Sequence, residues 1–255
     1  MNFSDLLGLP VVSSAHGHDV DQMILLVHYL MGALFVGWTS YFFYVIFRFR
    51  KSVHPKADPV GMRSHASSYI EVAVALVEAI LLIGFAVPLW AKVVDNLPAE
   101  KDSTLVRIVA QQFGWNILMP GKDGKFNKQE MRLMNMENPL GLVKDDADGK
   151  DDIRTLNDLT VPVNKPVVAY ISSKDVIHSF KIIAMRVTQD AIPGLRIPSH
   201  FTPTQLGKYQ INCAQLCGNG HASMAQGFLN VVSEEDFAKW AAGHVVAAGG
   251  GGSFE

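Results

Sequence analysis

A cluster of sulfur and nitrogen side chains near the C-terminus carries the strongest chemical signal in the chain. Cys213 and Cys217 are followed closely by His221 and Met224, and His178 lies upstream in the segment DVIHSF. Two thiolates, two imidazoles and a thioether form a soft to borderline ligand set, which selects copper over magnesium or calcium. The sequence therefore predicts a copper site.

The second cysteine bears on how many copper ions bind. A mononuclear blue-copper site uses two histidines, one cysteine and an axial methionine, so one cysteine exceeds that requirement. Zinc also accepts two cysteines and two histidines, but neither Met224 nor the isolated His178 fits the usual spacing of zinc ligands. Two copper ions bridged by Cys213 and Cys217 account for all the side chains, with a main-chain carbonyl as a further donor. A disulfide between the two cysteines is the alternative.

Two long apolar segments precede this cluster. Residues 23–47 contain no Asp, Glu, Lys or Arg, and this length crosses a hydrocarbon core about 30 Å thick. Residues 70–95 form a second predicted span, which contains Glu71, Glu78 and Lys92. The composition of the 255 residues, 49% hydrophobic and 18% charged, agrees with membrane segments. The chain is therefore predicted to cross a membrane twice.

The charges around the two spans predict their orientation. The loop 48–69 carries arginines and lysines close to the helix ends, whereas the segment 1–22 carries acidic residues and histidines. By the positive-inside rule this loop is cytoplasmic. Both termini and everything after the second span are therefore predicted to lie on the outer side, where paired or metal-bound cysteines are common. A net charge of −2 gives no reason to propose a nucleic-acid partner.

The residues after the second span predict a β-rich domain. Short segments such as LTVPVN, PVVAYISS and GFLNVVS alternate with turn-forming residues, a pattern typical of an antiparallel sandwich or barrel. A helix is predicted near residues 234–242, where Ser233 can cap it, and the Gly-rich tail 244–255 is predicted to be flexible.

The acidic segment 144–152 lacks the first aspartate of a calcium loop, so it is predicted to be a solvated loop or a docking site for a basic partner.

Two glutamates inside the second span each leave two interpretations open. Glu71 and Glu78 are seven residues apart, so they share one helix face with about 10 Å between them along the axis. A carboxylate inside a membrane span is costly unless it faces protein or water. Glu71 either belongs to a proton path or snorkels at the helix end. Glu78 has the same proton role or makes a structural hydrogen bond.

The string CxxxCGxxHxxM, after a DVxHSF strand and two membrane helices, resembles the copper-A domain of cytochrome c oxidase subunit II. The segment QDAIPG at residues 189–194 adds to the likeness, which covers nearly the whole chain. The resemblance implies a two-helix transmembrane hairpin and an all-β, cupredoxin-like Greek-key barrel over residues 101–243, in a bacterial plasma membrane. It also implies two bound copper ions. Their ligands would be His178, Cys213, Cys217, His221, Met224 and the main-chain carbonyl of Gln215.

Four positions bear on how closely the chain follows that family. Gln215 replaces a glutamate that helps bind magnesium at the interface with subunit I, which argues against that magnesium ion. Phe113 replaces the tryptophan through which most members receive the electron. Trp115 matches a second tryptophan of the same pattern, and two interpretations stay open for it: a share of the electron-accepting surface, or a core aromatic. Glu71 falls where the family has a glutamate at the mouth of a proton channel.

The resemblance implies a subunit of a proton-translocating oxidoreductase. Cytochrome c would be the electron donor, and haem in subunit I the acceptor and the place of oxygen reduction. Other oxidase subunits and membrane lipid would be the remaining partners. A quinol-oxidase subunit lacks copper, so the intact ligand set argues against it. The copper-A subunit of a nitric-oxide reductase and a membrane-anchored copper carrier remain open alternatives.

Overall fold

The computed structural model describes residues 7–61 and 63–244. The chain divides into two units. One contains residues 19–92 and is helical, and the other contains residues 10–18 and the described residues from 93 onward. Almost all of the tail predicted to be flexible, 244–255, lies outside the described residues, as does the beginning of the segment 1–22.

The helical unit contains two helices that are long and apolar enough to cross a membrane. Helix α1, Gly17–Arg48, encloses the first predicted span. Helix α2, Ala66–Asp95, encloses the second. Its hydrogen-bond pattern changes from α-helical to π-helical at Ile80–Ala86, just before Pro88, which has no N–H to continue an α-helical ladder.

The second unit is a sandwich of two five-stranded sheets. The strands are β1 Thr104–Gln111, β2 Gly114–Met119, β3 Ile153–Leu156, β4 Asp158–Pro162, β5 Val167–Ser173, β6 His178–Ile182, β7 Val187–Ala191, β8 Ile197–Phe201, β9 Gly207–Cys213 and β10 Gly227–Val232. The first sheet has the order β3-β2-β1-β5-β8 and the second the order β4-β10-β9-β6-β7. The pairs β1–β5 and β4–β10 are parallel, and the remaining pairs are antiparallel.

Alternation along the strands decides which side chains form the core. Val106, Ile108 and Ala110 on β1 are completely buried between the sheets, because residues two apart on a strand share one face. On the opposite face, Val109 belongs to a small separate apolar cluster with Leu118, Leu140 and Leu142. The long connection between β2 and β3 therefore covers part of the outer face of the first sheet.

Helix α3, Glu234–His244, ends the described chain. The Asp236 N–H donates to the Ser233 hydroxyl over 3.1 Å, which confirms the cap predicted from the sequence. Phe237 and Trp240 pack against the sandwich core. With two apolar helices followed by a two-sheet β domain, the predicted fold class is confirmed.

The acidic segment 144–152 forms a loop whose carboxylates bind nearby main chain. Asp146 accepts the N–H of Lys128 over 2.7 Å, and Asp151 accepts the N–H of Lys122 over 2.6 Å. The hydrogen bond from Lys128 is the largest cause of a lowered pKa at Asp146. These carboxylates shape the connection between β2 and β3.

Candidate metal centre

Two strands and a loop bring the predicted ligands to one end of the second sheet. His178 is the first residue of β6, and Cys213 is the last residue of β9. The two strands are antiparallel neighbours, with Phe180 opposite Cys213. The chain then turns through Cys217 into a short 3₁₀-helix that starts at His221. Strand pairing therefore places His178 beside a loop that is distant from it in sequence.

The side chains of this loop converge with His178. The ligand atoms of His178, Cys213 and Cys217 all lie within 4.8 Å of one another. His221 Nδ1 lies 3.3 Å from Cys217 Sγ, and the Gln215 carbonyl oxygen lies 3.0 Å from Cys213 Sγ. Cys213 and Cys217 are both free thiols. The structure thus joins four predicted side chains and the predicted carbonyl into one cluster.

Met224 belongs to the buried core of the sandwich, next to this loop. Its side chain is completely buried, in the same core cluster as Cys217. Its carbonyl oxygen accepts a hydrogen bond of 3.0 Å from Trp115 Nε1. The main chain of Met224 is therefore fixed by the sandwich core, which suits a residue predicted to be a weak axial ligand.

His178 shows the clearest fit to a metal ligand. Its ring is completely buried, and Nε2 lies 2.9 Å from Asp175 Oδ1. Nδ1 is buried and has no hydrogen-bond partner among the residues that the structure describes. A buried polar atom without a partner costs free energy, and a metal ion bound at Nδ1 would satisfy it.

Asp175 fixes which nitrogen of His178 can bind a metal. Burial opposes ionisation of Asp175, but hydrogen bonds from His178, Gln112 and Val176 outweigh it and lower its pKa. The ionised carboxylate accepts, so Nε2 carries the proton and Nδ1 offers its lone pair to a metal. Asp175 therefore orients the His178 ring toward the thiols.

Gln112 links both halves of the site. Its main-chain N–H donates to Asp175 Oδ2 over 2.8 Å, and its side-chain Nε2 donates to the Cys217 carbonyl over 2.6 Å. Sequence reasoning missed Gln112 and Asp175. Asp175 carried a usable signal, since it lies three residues before His178 at the start of the same motif. Gln112 carried no such signal, because only the fold brings the β1–β2 turn close to the cysteine loop.

The thiol of Cys213 acts on the neighbouring thiol of Cys217. Burial, and then the charge of Cys213, raise the pKa of the Cys217 thiol to about 11. Two adjacent thiolates in a partly desolvated site repel each other unless a cation binds between them. The donor set therefore fits metal ions that bind both sulfur atoms.

Two aromatic residues, one in the β1–β2 turn and one on β2, have different positions relative to the site. Phe113 is partly buried and packs on the cysteine loop, where a Cβ added at Gly220 would overlap its ring. Trp115 is completely buried, with its ring centroid 6.2 Å from that of His178 and 5.3 Å from that of Phe180. Trp115 is thus a core aromatic beneath the site and forms no part of a partner-contacting surface.

Gln215 belongs to this cluster only through its main chain. The side chain of Gln215 is exposed, and only its carbonyl faces Cys213. Glu71 and Glu78 belong to the helical unit, and both are exposed along α2.

Comparison with known proteins agrees with this site. A family model described as "Cytochrome C oxidase subunit II, periplasmic domain" matches residues 125–231. The alternative cytochrome c oxidase subunit 2 of Bradyrhizobium diazoefficiens is 32% identical over 223 residues, which cover 87% of this chain and 78% of the relative. Cytochrome c oxidase subunit 2 of Cereibacter sphaeroides is 29% identical over 236 residues, which cover 88% and 74% of the two chains.

Among solved structures, a match is the periplasmic domain of subunit II of cytochrome oxidase of Bradyrhizobium japonicum. It is 26% identical, covers 58% of this chain and 96% of that domain, and has a TM-score of 0.43. The family assignment depends on the sequence relatives, of which the Bradyrhizobium protein aligns over most of both chains. This chain belongs to the cytochrome c oxidase subunit II family, a divergent bacterial member and a membrane subunit of a haem-copper oxidoreductase.

Proposed function

We propose that this chain accepts electrons from a cytochrome c and passes them to haem in subunit I of a terminal respiratory oxidase. Subunit I would reduce oxygen to water and translocate protons. The observation that supports this proposal is the convergence of His178, Cys213 and Cys217 on one point. His178 Nδ1 is buried there and has no hydrogen-bond partner within the described part of the chain. A redox metal is the group that such a site accommodates best.

The proposed occupant is a pair of copper ions. Its ligands would be His178, Cys213, Cys217, His221, Met224 and the carbonyl of Gln215. Bound there, the pair would supply a one-electron redox couple. The protein contributes a fixed set of donors, because Asp175 is hydrogen-bonded to His178 and Gln112 is hydrogen-bonded to both Asp175 and the Cys217 carbonyl. Fixed donors reduce the rearrangement that accompanies a change of charge. We propose no magnesium ion at Gln215.

Exposed apolar side chains next to the ligands support docking of a protein partner. Leu216 is 78% exposed between the two cysteines, and Ile177 is 47% exposed beside His178. Large apolar side chains exposed close to a site commonly mark protein contacts. A partner that docks there comes close to the metal ligands, as electron transfer requires.

We place both termini and the β domain on the periplasmic side of a bacterial plasma membrane, with the loop 48–69 in the cytoplasm. The positive charges of that loop support this orientation. They are Arg48, Arg50, Lys51, Lys56 and Arg63.

The proposed function is tested on the purified oxidase that contains this chain. Rapid mixing with reduced cytochrome c is expected to reduce the copper centre of this subunit before the haem of subunit I. Copper is expected to stay bound through repeated redox cycles. Loss of copper on reduction would instead identify a copper carrier, and reduction of nitric oxide in place of oxygen would identify a nitric-oxide reductase.

We further propose that Glu71 takes part in proton uptake. Its side chain is exposed on α2 and makes no hydrogen bond or ion pair within the described residues, so it is available to a neighbouring subunit or to water. Glu71→Gln is expected to slow proton uptake by the assembled oxidase roughly tenfold. Glu78→Gln, the same change seven residues along α2, is the control and should leave the rate unchanged. Equal rates in wild type and Glu71→Gln would show that Glu71 only snorkels.

A further inference from the structure

A pocket on the outer face of the first sheet gathers positive charge away from the metal centre. It has a volume of about 290 Å³ and lies beside β1, β5 and the turn before β8. The polar side chains that line it are Arg107, Gln129, Tyr170, Ser172 and Arg196. Two methionines, a valine, a leucine and a glycine complete the lining. The proposed metal ligands belong to β6, β9 and the segment that follows β9. None of them lines the pocket, so the pocket is a separate site.

The two arginines of the pocket share one neutral acceptor. Arg107 Nη1 donates to Gln129 Oε1 over 3.1 Å, and Arg196 Nη2 donates to the same oxygen over 3.3 Å. Neither arginine forms an ion pair with any residue that the structure describes. Two guanidinium groups are thus held close together and repel each other, a repulsion that Asp152 and Glu100 offset only in part.

The Arg107 guanidinium is fixed in place before any ligand binds. It donates to the Asn127 carbonyl over 3.0 Å and lies over the Phe126 ring, 4.1 Å from its centroid. Burial, and then the charge of Arg196, lower the pKa of Arg107 to about 10. Arg107 therefore remains charged at neutral pH.

The two carboxylates whose charges act on Arg107 have other hydrogen-bond partners. Asp152 accepts the N–H of Asn127 over 2.9 Å, and Glu100 accepts the Tyr170 hydroxyl proton. The Ser172 hydroxyl, in contrast, makes no hydrogen bond within the described residues and remains a free donor. The pocket thus offers two cations and a hydroxyl, with no carboxylate among its lining residues.

We propose that this pocket binds a phosphate group through Arg107, Arg196 and Ser172. Guanidinium groups bind phosphate oxygens in paired hydrogen bonds, which are stronger than those to a neutral amide. A doubly charged phosphate balances both arginines, whereas a single carboxylate balances one. The bound phosphate takes the place of Gln129 Oε1 as the acceptor that the two arginines share.

The test is a titration of the full chain in detergent with inorganic phosphate, at constant ionic strength, followed by NMR of the arginine Nε–H groups. Saturable shifts of the Arg107 and Arg196 resonances are expected. Arg196→Gln alters an exposed side chain, so the fold should be kept, and it should weaken phosphate binding at Arg107 on the order of tenfold. Arg154→Gln is the matched control, because Arg154 is exposed on β3 and does not line the pocket.

Shifts that rise linearly with phosphate, or an affinity that Arg196→Gln leaves unchanged, would overturn the proposal. The source of the phosphate group is distinguished by repeating the titration in lipid nanodiscs. Weaker phosphate binding in nanodiscs that contain phosphatidic acid, a phosphate monoester, than in detergent identifies a lipid headgroup, provided that Arg196→Gln binds phosphate equally in both media. Equal affinity in both media identifies a soluble phosphate.

Discussion

Replacing either cysteine of the cluster by serine is expected to abolish the proposed binuclear copper centre. A serine hydroxyl stays protonated at neutral pH and is a hard donor, so it does not bridge two copper ions as a thiolate does. Copper content should fall from two ions per chain to one or fewer. The electron paramagnetic resonance spectrum should lose the hyperfine pattern of an electron shared by two copper nuclei. Electron uptake from cytochrome c should be lost with it.

Cys213→Ser is the decisive variant of the two. Cys213 is partly exposed, whereas Cys217 is only 5% exposed, so a serine at position 213 disturbs the core less. Met224→Leu provides the contrast, because it conserves volume in the buried site and removes only the weak thioether ligand. It should keep two copper ions with an altered spectrum. A shared-electron spectrum that persists in Cys213→Ser would refute the bridging role of this cysteine.

The sequence predicted the parts of the site that are consecutive in the chain. The spacing of Cys213, Cys217, His221 and Met224 already confines them to one loop, and their chemistry indicates the metal. The two membrane helices were equally visible, because runs of apolar residues need no tertiary context to be recognised.

What the sequence did not predict depends on strand pairing. Trp115 was open to two interpretations, since a tryptophan on a short strand suits either a surface or a core; the sandwich buries it completely. The pairing of Arg107 with Arg196 was invisible for the same reason: the first lies on β1 and the second just before β8, with β5 between these strands. Only the sheet order brings them to one pocket.

The second large effect is expected from Asp175→Asn, which leaves every proposed copper ligand in place. Asparagine can accept from His178 Nε2 with its oxygen, but its amide group then faces the Gln112 N–H that Asp175 Oδ2 now accepts. Two donors would oppose each other there, and the negative charge that fixes the His178 tautomer would be lost. Replacing a residue that orients a metal ligand typically costs about 10- to 100-fold in metal affinity. Copper affinity, measured by competition with a chelator, should fall by that factor.

The matched control for this prediction is Asp190→Asn. Asp190 is exposed on β7, opposite Ser179 of β6, so the same charge is removed one strand away from the His178 ring. Copper affinity should then stay close to that of the wild type. An equal loss in both variants would mean that the general negative charge near the site, and not the hydrogen bond to His178, strengthens copper binding. A loss confined to Asp175→Asn would show that the hydrogen bonds of Asp175 with His178 and Gln112 determine how tightly the site holds its metal.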